Sequence, residues 1–312
     1  MSFALVRFLP ENPGFRFMAH RVVVLPVTAL LVVGSLVLFG LNGLNLGIDF
    51  RGGTLIEIKT TDGPADIAGL RQSLGALGLG DVEVQEFGAP DDVLIRVEQQ
   101  PGGDEAQQAV VDRVRAALGE DNVDYRRFEV VGPRVSAELA QAGSIAVGAA
   151  LLAILVYIWV RFEWQFAIGA IIATVHDVIL TIGLFSITQL EFNLSSIAAI
   201  LTIVGYSLND TVVVYDRVRE NLRRYKKMAL ADLIDLSINT MLSRTIMTSV
   251  TTLIALGALF LFGGEVIRSF TAAMIWGVAV GTFSSIFVAG PTLIYLNLRS
   301  SRASTESAEE TA

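Results

Sequence analysis

The sequence contains no cysteine. Disulfides, thiol nucleophiles and cysteine-ligated metals are therefore excluded. Histidine is almost absent too: His20 and His176 are too few for a histidine-based metal centre. Lysine occurs only as Lys59, Lys226 and Lys227, none of them after a glycine, so there is no phosphate-binding Gly-Lys-Ser/Thr loop through which ATP could supply energy. Charge is sparse: 17% of the 312 residues are charged, against about 25% in an ordinary soluble chain. The net charge of -8 argues against a nucleic-acid binder with a basic surface. No nucleophile–base pair is apparent, so the chain is expected not to be an enzyme and to need no cofactor.

What fills the sequence instead is apolar. Hydrophobic residues make up 53% of it, and mean hydropathy is +0.58. They come in runs of about 20, the length that crosses a bilayer as a helix. Six runs are read: 22–42, then roughly 139–160, 165–187, 192–215, 245–262 and 269–296. The first is too long for a signal peptide, and Asn42-Gly43-Leu44-Asn45 lacks a clear small-residue cleavage pattern, so it reads as a retained anchor. Basic residues set the orientation. Arg7, Arg16 and Arg21 lie in 1–21, six Lys/Arg lie between Arg217 and Lys227, and Arg299 and Arg302 lie in the tail. With six spans all fall on one side. Both termini and a basic loop, 216–244, are thus expected in the cytoplasm, with 139–296 holding spans two to six. The small, polar residues 297–312 are expected to be a disordered cytoplasmic tail.

The stretch 43–138 carries 18 acidic and nine basic residues and is expected to fold outside the membrane, in the periplasm. Thr54–Lys59 alternates like a strand. Ile67, Leu70, Leu74 and Leu77 repeat with helical spacing. Val82 and Val84, then Val93, Ile95 and Val97, alternate again, joined by the turn-rich stretch 88–92. Val110, Val114, Ala117 and Leu118 mark a second helix, and Phe128 and Val130 a fourth strand. The order β-α-β-β-α-β predicts a ferredoxin-like domain with both helices on one face of the sheet. Glycine-rich segments flank it: Gly47, Asp49, Gly52 and Gly53 on entry, Gly132 and Pro133 on exit. They read first as covalent hinges, a reading compatible with hinges that transmit movement between membrane and domain.

Ionisable residues inside a span cost about 2.5–3.5 kcal/mol each on insertion scales and so need a reason. Asp210 falls a turn short of the basic end of span four, and Arg244 opens span five at similar depth. The two could meet as a pair whose protonation releases the arginine; alternatively Arg244 snorkels to the interface and Asp210 bonds a neighbouring helix. Thr202, Asn209 and Asp216 are spaced by seven, and hydroxyls including Ser243, Thr245, Thr248 and Ser249 crowd the start of span five. His176-Asp177 lies near the middle of span three, where a satisfied buried imidazole is one reading. Ala273, Gly277, Gly281, Ser285 and Ala289 recur every four residues, a stripe that lets helices pack closely.

Four segments taken together, 47–53, 131–136, 209–221 and 237–248, resemble the SecD/SecF family of bacterial protein-export membrane proteins, and within it the smaller, SecF-type, members. The resemblance covers nearly the whole chain. It implies the resistance-nodulation-division superfamily, each half of which has six spans and a domain after the first. It implies SecD as partner, action beside the SecYEG channel after the SecA ATPase, association with YajC and YidC, an inner-membrane location, and protons as coupling ion for pulling preproteins. Carried over by position, Asp210 matches the family's proton-relevant aspartate and Arg244 its partner arginine, with Asn209 and Thr248 as weaker correspondences. The alternative within the superfamily, export of a small molecule or lipid, calls for a larger domain than these residues provide.

Overall fold

A computed structural model describes residues 13–119, 122–296 and 298. Most of the tail reading for 297–312 lies outside the described residues, as does the start of the 1–21 segment. Among the described residues six helices are long and apolar enough to cross a membrane. The chain is a multi-pass helical membrane protein.

A short 3-10 turn, Phe17–His20, leads into α1 (Arg21–Asn42). A four-residue turn of helix, α2 (Ile48–Arg51), then precedes the extramembranous domain: β1 (Gly53–Thr60), α3 (Ile67–Gly75), β2 (Val82–Phe87), β3 (Ala89–Val97), α4 (Gly103–Leu118) and β4 (Val123–Val131). The sheet order is β2-β3-β1-β4, all antiparallel, the arrangement of a ferredoxin-like sheet. The residues expected to form a turn at 88–92 lie mostly in β3, because Gly88, at φ 89°, reverses the chain almost alone. Alternation decides which side is buried. Ile56, Ile58, Val93, Ile95 and Val97 pack on Leu74, Val110 and Val114 of the two helices. The opposite face is not left to water at its membrane end. There Leu55 and Leu94 cover Ile48 of α2.

The remaining helices are α5 (Pro133–Arg161), α6 (Trp164–Thr188), α7 (Leu194–Arg224), α8 (Leu230–Phe262) and α9 (Arg268–Ser284), continued by a π-helical turn, Ser285–Ala289, and α10 (Gly290–Tyr295). Pro133 sits in the first turn of α5, where its missing N–H costs nothing. Asn193 and Ser196 cap α7 reciprocally. The 216–244 segment, expected to be a loop, is mostly helical. α7 runs to Arg224 and α8 starts at Leu230, which leaves five residues between them. Charged residues ended the apolar runs, but backbone hydrogen bonding continued past them.

Burial separates an inner trio from an outer one. α6, α7 and the α9–α10 rod are buried over half or more of their apolar windows, whereas α1, α5 and α8 are mostly exposed. Gly277 and Gly281 of α9 lie against α7, over Ile203 and Ser207 respectively. Lacking side chains there, α9 approaches α7 closely, and this contact sets the frame for the polar groups inside.

Candidate functional site

Asp210 lies on the inward stripe of α7, two turns beyond Ile203, and is only 8% exposed. Its Oδ1 accepts from Thr245 Oγ1 of α8 at 2.8 Å, and its Oδ2 from Ser285 Oγ of the π turn at 2.6 Å. Asp177 of α6 is fully buried. Its Oδ2 accepts from Ser207 Oγ of α7 at 2.5 Å and from Ser284 Oγ of α9 at 2.8 Å, while Oδ1 lies 2.9 Å from His176 Nδ1. Two adjacent serines thus serve two carboxylates. Successive helical residues point about 100° apart, and the wider π turn begins between them. Such turns recur at functional sites. Beside Asp210 a chain of hydroxyls continues from Tyr206 to Ser249, whose Oγ lies 2.6 Å from Thr282 Oγ1.

The expected pairing of Asp210 with Arg244 is not formed. Arg244 is exposed, and among the described residues it makes no ion pair. Depth along the helix was as expected, but direction was not. Thr245 occupies the inward position on α8, so its neighbour Arg244 points about 100° away. Asn209 is exposed for the same reason, one residue from inward-facing Asp210, and Thr202 is exposed with it. Thr248 spends its hydroxyl on the carbonyls of Arg244 and Thr245 in its own helix. The groups that do contact Asp210, Thr245 and Ser285, are a member of the hydroxyl-rich stretch and a member of the small-residue stripe. Their spacing alone carried no sign of which carboxylate they would meet.

The glycine-rich flanks are packed rather than free. Gly47 N–H donates to Phe192 O at 2.9 Å, and Phe192 N–H to Asn45 O at 2.7 Å, which pins the α1–α2 link to the α6–α7 link. A Cβ on Gly47 would collide with the Glu191 carboxylate. Asp49 Oδ2 accepts from Leu194 N–H at 2.9 Å and so helps cap α7. Gly52, at φ +73°, lies beside Ser136 and Val131 O, so entry and exit of the domain touch each other. Gly132 is the N-cap of α5 and Pro133 its first residue. Arg96 of β3 reaches across with Nη2 at 3.0 Å from Glu191 Oε2. Asn45, Asp49, Arg127, Glu191, Asn193 and Arg268 are among the residues that line a cleft of about 430 Å³ between domain and bundle.

Burial in this cleft pushes the Glu191 carboxyl above the usual carboxylate range, against the opposing pull of Arg96; Asp49 and Glu129 add to the rise. A raised folded-state value means that docking is favoured fully below the ordinary pKa and loses that contribution as pH rises through the raised value. Hydrogen exchange at Gly47–Gly53 is therefore expected to slow as pH falls from neutral towards the ordinary carboxylate value, after correction for intrinsic rates. Glu191→Gln should flatten this dependence. Equal dependence in the variant would assign the effect to other groups.

Comparison with known proteins agrees on one family. Residues 110–299 match "Protein export membrane protein SecD/SecF, C-terminal", and residues 37–63 match the "SecD/SecF GG Motif", which here contains Gly52-Gly53. The chain is 47% identical over 291 residues to the protein translocase subunit SecF of Rickettsia akari, covering 92% of this chain and 94% of that one. It is 49% identical over 302 residues to that of Magnetococcus marinus, covering 95% and 97%. Its fold superimposes on the crystal structure of SecDF from Thermus thermophilus with a TM-score of 0.82 at 34% identity, covering 93% of this chain. On SecDF in its super-membrane-facing form the TM-score is 0.69, also at 34% identity, covering 97%. The chain spans about two-fifths of the length of those SecDF chains, 40% and 41%.

Proposed function

This chain belongs to the SecD/SecF family of protein-export membrane proteins, and on that premise we propose that it is the SecF-type subunit of a proton-driven complex that draws preproteins across the bacterial inner membrane. Its partner is SecD, which supplies the facing six-helix half. The pair works beside SecYEG, with SecA upstream and YajC and YidC as accessory partners. Both termini lie in the cytoplasm, and the ferredoxin-like domain lies in the periplasm, where it acts on the emerging polypeptide. The subunit performs no covalent chemistry, and protons are its only coupling ion.

The observation that carries this reading is Asp210: a carboxylate inside a membrane bundle, held by two neutral hydroxyls and by no cation among the described residues. An unpaired charge there is costly, so uptake of a proton changes the stability of that arrangement. When charged, the group accepts from Thr245 and Ser285. When protonated, it must donate one hydrogen, so a hydroxyl has to turn and the contacts of α7 with α8 and the π turn must readjust. One proton moving through the field supplies about 2.3 kcal/mol per 100 mV, enough to bias an equilibrium of a few kcal/mol. α7 is one unbroken helix from Leu194 to Asp210 and beyond, a rod of about 24 Å between them. Its start is bonded to Asp49, so readjustment at Asp210 has a direct path to the base of the domain. Arg244 lies on an exposed face of α8, open to the SecD half.

In the reconstituted complex, Asp210→Asn is expected to abolish proton conductance and proton-driven late translocation while assembly with SecD persists. Unchanged export by an assembled variant would sink the proposal.

A further inference from the structure

We propose that Asp177, with His176 beside it, is a second proton-carrying group of the same membrane site, working together with Asp210 rather than bracing the bundle. The inference rests on the proton-driven reading of Asp210. It begins from a residue that this reading leaves without a task. Asp177 sits near the middle of α6, fully buried.

Three observations carry it. The first is an unpartnered atom. His176 is only 5% exposed; one ring nitrogen meets Asp177, and the other, Nε2, is buried without a hydrogen-bond partner among the described residues. An orphaned buried polar group costs about 1–3 kcal/mol, so a residue that served only as a brace would gain nothing from leaving it open. A group that receives and passes a proton needs an open position of this kind.

The second is shared support. Ser207 serves Asp177 and lies three residues before Asp210 on α7; Ser284 serves Asp177 and directly precedes Ser285, which serves Asp210. Any shift of α7 or of the π turn that follows protonation of one carboxylate therefore alters the donors of the other.

The third is the lack of an alternative counter-charge. The helices packed on α6 are α1, α5, α7, α9 and α10, together with the π turn. α1 and α9 carry ionisable residues only at their first positions, Arg21 and Arg268, and the π turn carries none. α5 has Arg134 and Glu138 at one end, Arg161 at the other and the exposed Tyr157 between; α10 has only the exposed Tyr295. On α7 the ionisable residues are Asp210, Tyr206, Tyr215 and the charged run from Asp216. Tyr215 donates to Ala289 O, and Tyr206 points to Ser249. His176 apart, no cation among the described residues of these helices stands at the depth of Asp177, and a proton is the positive charge that can come and go there.

The step itself is simple. A proton arriving at Asp177 Oδ2 makes one O–H bond. The Ser207 or Ser284 hydroxyl then turns from donating to accepting, and departure of the proton reverses both changes. No electrons move; the one bond broken is that which held the proton on its donor, a hydronium ion, and it re-forms on water when the proton departs.

The test uses the intact complex in proteoliposomes, with proton flux read by an internal pH dye across a range of pH. Asp177→Asn is expected to lower flux about tenfold or more. Asp177→Glu should restore much of it with a displaced pH profile. The double variant Ser207→Ala/Ser284→Ala keeps the carboxylate but should displace the profile, and it decides the matter if Asp177→Asn fails to assemble. Flux lost in Asp210→Asn but unchanged, with an unchanged pH profile, in an assembled Asp177→Asn complex overturns this inference alone, as does an unshifted profile in the double variant. Flux unchanged in Asp210→Asn overturns the proton-driven reading and this inference with it.

Discussion

Replacing Gly53 with valine is expected to unfold the four-stranded domain while the six helices remain in the membrane. Gly53 opens β1, the strand that pairs with both β3 and β4. Its φ of +124° lies in a region that residues with a side chain rarely adopt, and a Cβ there would stand 2.5 Å from Val97 O of β3. The conformation alone costs about 1–3 kcal/mol. Relieving the collision means moving β1 off β3 at Thr54↔Val97, where the register starts, for about another 1–3 kcal/mol. The sum approaches the whole margin of a small domain, about 5 kcal/mol at the low end. Protease resistance of the segment from Gly53 to Val131 in purified complex reads the result. Protection equal to that of the parent protein would show that the junction yields without loss. Gly53→Ala carries the same conformational cost with less bulk and should fall between the two.

The second large effect is expected at Gly277. A Cβ there would overlap Cγ1, Cδ1 and Cγ2 of Ile203 together. Because the whole branched side chain blocks the space, no single rotamer change clears it, and α9 must retreat from α7. Overpacking of this kind costs about 1–3 kcal/mol, so Gly277→Val should lower the melting temperature of the detergent-solubilised protein. The retreat reaches further. One turn on, Gly281 rests on Ser207, and beyond it Ser284 and Ser285 hold the two carboxylates. Proton flux should therefore fall with stability. Ile203→Ala combined with Gly277→Val supplies the missing space and should recover part of both. Strictly additive losses in the double variant would show that the α7–α9 contact is not what Gly277 protects.

Much of the architecture was legible from local pattern. Six apolar runs marked six helices, because a bilayer imposes a length on any segment that crosses it. Alternation at Thr54–Lys59 and Val93–Val97 falls within β1 and β3, because a sheet with one covered face has a period of two. The helical character of 216–244 is hidden in the sequence because charge ends the apolar run, whereas a helix can leave the membrane and keep its hydrogen bonds. The carboxylates were visible as anomalies, but their partners were not. By charge and depth Arg244 is the match for Asp210, yet Thr245 and Ser285 hold it. The glycine-rich flanks looked like tethers, yet Gly47 and Asp49 are bonded to the α6–α7 link and the start of α7.

The sequence by itself thus determined the medium in which the chain lives, the number of crossings, the order of strands and helices, and which residues had no business in an apolar core unless they served a purpose. These are properties of one segment at a time, set by hydrophobic length and periodicity. Only the tertiary structure decided that Asp210 faces hydroxyls, that Asp177 shares its helices, and that Arg244 looks outward. The physical reason is rotational. A helix turns 100° per residue, so one position separates the interior from the membrane face, and which direction counts as inward is set by where the neighbouring helices pack.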